Sequence, residues 1–457
     1  MSRVNSICLF SAVWLGSASG VLAEPLAWAE FWEVIWLKRY NTSLVVLATS
    51  LLGLASGVVG SFLLLRKRSL LGDALSHATL PGICVAFAVM VAAGGSGKWL
   101  PGLLCGAAIS GIVGVLVMLA IRNSTQLSDD VAMGLVLSVF FGLGVALMGI
   151  VQTMPGASAA GLEKFIYGKT ASIVMADLRM IACIAGLVLV ICFLCFKEFS
   201  ILCFDENFAR TQGFPAQILD LTLLGLVTAV TVVGLQSVGL ILIIAFLITP
   251  PAAARFWTES LPMTVVLAGL IGAASGWLGA SFSAWMPDLP AGAVIVIVAA
   301  GIFACSMIFA PCRGLLSRFL RHRRLARRIT RQHLLRAVYE ILESRHPAVH
   351  GVMPPNERIR FRELVDKRSW SESELRRILR REVRSGHVQL LGNTQLCLTE
   401  EGFGEAARIT RNHRLWEIYL VTHAEIAPSH VDRDADTIEH ILEAGLVRQL
   451  EEELRLR

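Results

Sequence analysis

An all-α polytopic membrane domain of about nine spans, followed by a soluble α+β winged-helix domain, is the fold class this sequence predicts. Three observations carry that reading. The composition is 55% hydrophobic with a mean hydropathy of +0.64, well above water-soluble chains. Apolar runs long enough to cross a bilayer recur at short intervals up to Ala310 and then cease. Charge changes at the same point. Residues 1–310 carry fourteen basic and fourteen acidic side chains and one histidine, which leaves 27 of 41 basic residues, 21 of 35 acidic residues and nine of ten histidines to the rest. The net charge of +6 therefore lies wholly after Ala310, so two domains are expected in two solvents.

In chain order, residues 1–23 read as a secretory signal. Arg3 precedes an apolar run from Ile7 to Leu15, and Val21-Leu22-Ala23 suits cleavage after Ala23; an uncleaved anchor is the alternative. Spans are expected near 44–65, 71–93, 100–121, 131–152, 178–196, 263–283 and 290–310. The apolar region 218–254 is too long for one span, and Gly234-Leu-Gln236-Ser-Val-Gly239 divides it into two. Frequent glycine suits helices that approach closely in a membrane. Most of the ten cysteines lie in apolar segments, where a free thiol behaves as a small hydrophobe, and they imply no disulfide framework.

Basic residues orient the spans. Arg66-Lys67-Arg68, Arg122, Lys197, Arg210, Arg255 and the arginines from Arg313 onward fall at every second boundary. All are cytoplasmic together when the mature N-terminus is outside and the C-terminal domain inside.

The lone histidine of the membrane region, His77, follows Asp73 by four residues in Gly72-Asp73-Ala74-Leu75-Ser76-His77. On a helix this spacing puts carboxylate and imidazole on one face. Ionisable groups are costly in a bilayer and mark pathways or partners. A hard oxygen beside a borderline nitrogen suits a divalent transition metal. The bland alternative is an Asp–His hydrogen bond stapling two helices.

The loop 197–217 contains Asp205-Glu206-Asn207-Phe208-Ala209-Arg210, a short amphipathic helix stopped by Gly213 with Pro215 beyond. It suits a partner's groove, the membrane surface or a plain connection. Gly168-Lys169-Thr170 has the end of a phosphate loop, but Glu163 stands where the pattern needs glycine, so this chain is expected to bind no nucleotide.

With these segments in view, residues 40–310 resemble the zinc/manganese/iron class of ABC-transporter permeases. The likeness runs through Gly60…Arg66-Lys-Arg-Ser-Leu-Leu-Gly-Asp73-Ala-Leu-Ser-His77-Ala, the Asp205…Ala209…Gly213 loop and Gly239-Leu-Ile-Leu-Ile…Pro250-Pro-Ala-Ala-Ala-Arg255. The resemblance implies a bacterial inner-membrane subunit that forms a homodimer or pairs with a close paralogue. It implies a cytoplasmic ATPase as a separate chain and an extracytoplasmic metal-binding protein that delivers manganese, zinc or iron. It places Asp73 and His77 on the translocation path and makes Asp205, Ala209 and Gly213 part of the helix that docks on the ATPase. An intramembrane metalloenzyme is a poor rival, since the spans lack a His-Glu-x-x-His pair and a second histidine. A secondary carrier needing no ATPase is the other rival.

After the last span, residues 311–330 read as a basic juxtamembrane linker. From Arg313 to Arg336 arginine recurs about every third residue with no acid between, which suits an anchor under the inner leaflet, a lipid-phosphate contact or part of a nucleic-acid surface. A winged helix is expected over 331–402: a helix at Arg331–Glu343, helices at Phe361–Asp366 and Ser371–Ser385, and two short strands around Gly392-Asn393. Arg376, Arg377, Arg380, Arg381 and Arg384 crowd the second of the paired helices, where the motif would contact DNA, though winged helices also bind proteins.

The remaining part, 403–455, is helical and brings carboxylates and imidazoles together at helical spacing in His413…Glu417 and Asp436…Glu439-His440. Residues 325–455 resemble the iron- and manganese-dependent repressor family. The resemblance implies dimerisation helices and metal ligands at His413, Asp436, Glu439 and His440, with Glu417 on a position used by some members and His333 on a first-helix ligand position. A position near His333 that is acidic in the manganese members is Arg336 here, which argues for one metal site rather than two. The expected activity is thus a permease subunit of an ATP-driven divalent-metal importer, not itself an enzyme, with a metal-sensing tail that regulates transport. A membrane-tethered, metal-dependent DNA-binding regulator is the alternative for the tail.

Overall fold

The computed structural model describes residues 33–423 except 34, 69, 96, 98, 154–169, 287–288, 347–356, 368–369 and 393. The expected signal segment lies outside that range, as do Asp436, Glu439 and His440. Two compact units divide the chain, residues 1–317 and 318–457.

The first unit is helical. Its elements are α1 (Tyr40–Leu65), α2 (Leu71–Ala78), α3 (Leu80–Ala92), α4 (Leu100–Ser124), α5 (Asp129–Gln152), α6 (Met175–Leu194), α7 (Phe196–Phe204), α8 (Glu206–Thr211), α9 (Ala216–Val238), α10 (Leu240–Trp257), α11 (Leu261–Trp285) and α12 (Ala291–Phe309). Among the described residues nine helical stretches, with α2 and α3 taken as one, are long and apolar enough to cross a membrane. They fall on the nine stretches expected from hydropathy. Proline opens α3, α4 and α11 within the first two positions, where its missing N–H costs nothing. The division of 218–254 falls on Gly239, whose φ of +87° closes α9 and starts α10 in one residue.

Helices in lipid gain little from apolar burial against one another, so close approach and dispersion must hold them. The α1–α11 contact shows the consequence. A Cβ on Gly53 would lie 2.3 Å from the Gly272 carbonyl oxygen, and one on Gly57 equally close to that of Ala268. The backbones touch there, which only glycine permits.

The second unit contains all but the first residues of α13 (Leu315–Arg345), then β1 (Ile359–Arg360), α14 (Phe361–Lys367), α15 (Glu372–Arg384), β2 (Val388–Leu391), β3 (Gln395–Leu398) and α16 (Glu400–His423). The three strands form an antiparallel sheet in the order β1-β3-β2, with Val388 opposite Leu398 and Ile359 opposite Leu396. Helix, strand, two helices and a two-stranded wing make the expected winged helix. Its core packs Leu334, Leu335 and Val338 of α13 on Leu364, Leu375, Leu379, Leu396 and Phe403. Ser371 caps α15 by accepting from the Glu374 N–H at 3.3 Å. One boundary differs. The stretch expected as a linker, 311–330, is helical from Leu315 and runs unbroken into the first tail helix. Leucine and arginine are good helix formers, and neither glycine nor proline interrupts them after Gly314.

Candidate functional site

Asp73 and His77 lie on α2, one turn apart, with His77 Nε2 3.4 Å from Asp73 Oδ1. Both side chains keep partial exposure, while Nδ1 of His77 is buried without a hydrogen-bond partner. The carboxylate faces Nε2, so an oxygen and a nitrogen stand together there as a donor pair that suits a divalent transition metal. Phe141 of α5 meets the imidazole edge-on at 4.7 Å between centroids and limits its rotation. Pro81, four residues on, has no N–H for the His77 carbonyl, and the helix breaks between Ala78 and Leu80. Ser110 of α4 donates its hydroxyl to the Ala78 carbonyl at 2.6 Å and steadies that break. Among the described residues no group of three or more His, Cys, Asp or Glu is placed to hold a metal ion.

A second constellation had not been singled out from the sequence. Arg66 and Arg68, just before α2, turn inward around Lys67, whose φ of +58° is left-handed. Arg66 donates to Asp220 Oδ1 at 2.6 Å and to Glu206 Oε2 at 2.9 Å. Arg68 donates to Asp129 Oδ2 at 2.7 Å and to both oxygens of Asp220 at 3.0 and 3.1 Å. Arg122 reaches Glu206 at 2.8 Å and Asp220 at 3.3 Å. The side chains of Arg68 and Asp220 are only 2% and 7% exposed. Three guanidinium groups and three carboxylates thus neutralise one another where the ends of α1, α4, α5, α8 and α9 meet. Burial lowers the Arg68 pKa, but Asp220 and Asp129 outweigh it and the net shift is upward. Burial alone would push the Glu206 carboxyl up; Arg122, Arg66 and Arg210 hold it below its ordinary range.

This network binds the loop helix α8 to the bundle. Asp205 caps α8 through the N–H groups of Asn207 and Phe208, at 2.9 and 3.0 Å. Gly213, at φ +83°, ends it: its N–H meets the Arg210 carbonyl and the Phe214 N–H that of Ala209. Ala209 is fully buried. Asp205, Ala209 and Gly213 therefore shape and seat α8, and Asn207, Phe208 and Thr211 are exposed on it.

Of the expected tail ligands, His333, His413 and Glu417 are described. His413 is 1% exposed, with Nε2 3.0 Å from Glu417 Oε1. On the ring's other side Arg336 Nη1 lies 2.8 Å from Nδ1, while Arg336 Nε donates to Glu340 Oε1 at 2.7 Å. A buried guanidinium on the histidine does not fit a divalent ion coordinated at that nitrogen. His333 is half-buried on α13, three residues before Arg336. The five arginines of α15 are all exposed, and Arg376 lies over the Phe361 ring at 5.1 Å.

Comparison with known proteins agrees with both units. Residues 399–455 match the iron-dependent repressor metal-binding and dimerisation domain. The manganese transport system membrane protein MntC of Bacillus subtilis is 37% identical over 404 residues, covering 88% of this chain and 89% of that protein. The zinc transport system membrane protein TroC of Treponema pallidum is 44% identical over 287 residues, covering 63% of this chain and 95% of its own. A solved structure of PsaBC from Streptococcus pneumoniae in complex with a Fab aligns with a TM-score of 0.54 at 30% identity, covering 65% of this chain and 99% of that one. Residues 39–310 match the ABC 3 transport family throughout, over the same helices that carry Asp73, His77 and the ionic network. This chain is a multi-pass membrane protein of the ABC 3 transport family that ends in an iron-dependent repressor domain.

Proposed function

We propose that the chain is the permease subunit of an ATP-driven importer of divalent metal, manganese or zinc first and iron as a third cargo. The observation that carries this is the Asp73–His77 pair at 3.4 Å inside a membrane-crossing helix, with the orphaned His77 Nδ1 beside it. In a dimer of this chain, or with a close paralogue, two such pairs supply two carboxylates and two imidazoles to a cation in transit. ATP is hydrolysed by a separate cytoplasmic chain docking on the outward face of α8, and an extracytoplasmic binding protein delivers the cargo. The membrane is taken as the bacterial inner membrane, and a tail in the cytoplasm is the orientation that the basic boundaries favour. Uptake of radioactive manganese and zinc by cells carrying Asp73→Ala or His77→Ala tests the assignment. Both variants are expected to lose uptake while reaching the membrane, and wild-type uptake in both refutes the path. Loss of uptake with a hydrolysis-dead ATPase partner separates this reading from a secondary carrier.

The tail is read as a regulator of transport. Removing residues 325–457 is expected to change how uptake responds to cell metal, and an unaltered response rules that role out. The exposed arginines of α15 favour a second reading, a membrane-tethered DNA-binding module. Operator-specific binding by the full chain at physiological salt would support it, and only salt-sensitive, sequence-independent binding would count against it.

A further inference from the structure

We propose that Arg336 is a tethered cation that takes a metal's place at His413, so that this pocket is organised by an ion pair built into the chain and does not answer to divalent metal. The inference rests on the geometry of the tail alone and stands or falls independently of what the membrane domain transports.

His413 and Glu417 lie in the span that matches a metal-binding domain, and a carboxylate 3.0 Å from a buried imidazole is a pair a cation would bridge. A cation is already present. Guanidinium carries donors and no acceptor, so the Arg336 Nη1 contact at 2.8 Å makes His413 Nδ1 the acceptor. The ring proton then belongs on Nε2, facing Glu417. Both nitrogens are engaged and the imidazole is neutral.

The arginine is itself held. Its side chain is 7% exposed, Glu340 accepts from Nε at 2.7 Å, and Lys367 sits 3.4 Å from the other oxygen of Glu340. Lys367, Glu340, Arg336 and Glu417 alternate in sign and neutralise one another around the neutral ring. A metal at Nδ1 would have to expel a buried guanidinium that cannot lose its proton. A metal at Nε2 would place two positive charges one imidazole width from a permanent third, in an interior that screens poorly. Among the described residues, the carboxylate on the Nδ1 side, Glu340, is already paired with Arg336 and Lys367.

The test uses the full chain in detergent, stripped of metal, with Asp73→Ala and His77→Ala so that the membrane pair contributes nothing. Manganese or zinc chloride is added, bound metal is measured after equilibrium dialysis, and each protein is compared with its own His413→Ala derivative. Thermal unfolding with and without metal is the second readout. With Arg336 in place, no His413-dependent binding and no His413-dependent shift in unfolding are expected at micromolar metal. Arg336→Glu, which turns the fixed charge from repulsive to attractive, is expected to bind one His413-dependent equivalent at least about a hundredfold more tightly. Arg336→Met removes the charge at similar length and should fall between, which keeps the test decisive if the glutamate variant does not fold. Saturable His413-dependent binding with Arg336 present overturns the proposal. So does a folded Arg336→Glu protein that gains none.

Discussion

Asp220→Asn is the sharpest perturbation of the ionic network, because it changes one charge and almost no volume. Asp220 receives Arg66 at 2.6 Å, Arg68 at 3.0 and 3.1 Å and Arg122 at 3.3 Å, with 7% of its side chain exposed. Removing its charge leaves three guanidinium groups to share Asp129 and Glu206. Breaking a buried ion pair from one side costs about 3–5 kcal/mol, because the partner stays buried and uncompensated. The asparagine oxygen can still accept one bond, which argues for the lower end. Arg210→Ala is the control: that arginine also meets Glu206, at 2.7 Å, but is 54% exposed, and such pairs contribute about 0.2–1 kcal/mol. Equilibrium unfolding in lipid–detergent mixtures, read by intrinsic fluorescence, compares the two. Asp220→Asn should lose several times the free energy that Arg210→Ala loses. Adding Arg68→Met should restore part of it, since the stranded cation is then gone. Equal and small losses in the two single variants, or no recovery in the double variant, would show that the cluster is not an interdependent buried network.

Further expectations follow from single positions. Lys67→Gly relieves a left-handed residue whose exposed side chain lies outside the network, so stability should rise by up to about 1 kcal/mol; a fall of that size contradicts the strain. Gly272→Val drives a Cβ into the Gly53 carbonyl, 2.1 Å away, and should cost about 1–3 kcal/mol or more because backbone cannot yield; wild-type unfolding would mean α1 and α11 are not packed this closely. The Glu206 carboxyl titrates lower in the folded chain than unfolded, so its contribution is complete above the ordinary carboxylate pKa of about 4.3 and fades as pH falls below it. Glu206→Gln should flatten that acid-side slope, and an unchanged slope contradicts the assignment. Ser371→Ala removes the cap of α15 and should cost about 1 kcal/mol, measured by hydrogen exchange in that helix.

What was legible in the sequence was local or periodic. Apolar run length marked the spans, a spacing of four put Asp73 and His77 on one face, and Gly213 with Pro215 marked the end of α8. What was not legible depends on pairing at long range. Arg66 and Asp220 are 154 positions apart, and Arg336 and His413 are 77 apart. No window that reads periodicity joins such residues. Arg66, Arg68 and Arg122 were legible only as orientation signals, which need a positive charge at a boundary and say nothing of its partner. The clue available was that Asp129, Glu206 and Asp220 fall at the same alternate boundaries, so that both signs gather at one end of the bundle. Residues 311–330 were expected as a linker because charge composition, rather than helix propensity, set the boundary.

The two histidines show how one motif type meets different surroundings in the two units. Each stands four residues from a carboxylate on a helix, and spacing alone gives them the same reading. What differs is the other nitrogen. At His77 it is buried without a partner, and Phe141, which packs edge-on against the ring, offers no acceptor or charge to settle it. A buried ring nitrogen without a bond is costly, so among the described residues this histidine is left incomplete by its own chain. At His413 the same nitrogen receives Arg336, and the need for a cation is met permanently. A site for cargo must be left incomplete by its own chain, whereas a site completed by its own chain has become structure. By that criterion Asp73→Ala should leave His77 the stronger candidate for residual metal contact, and Arg336→Glu should make the tail resemble the membrane pair.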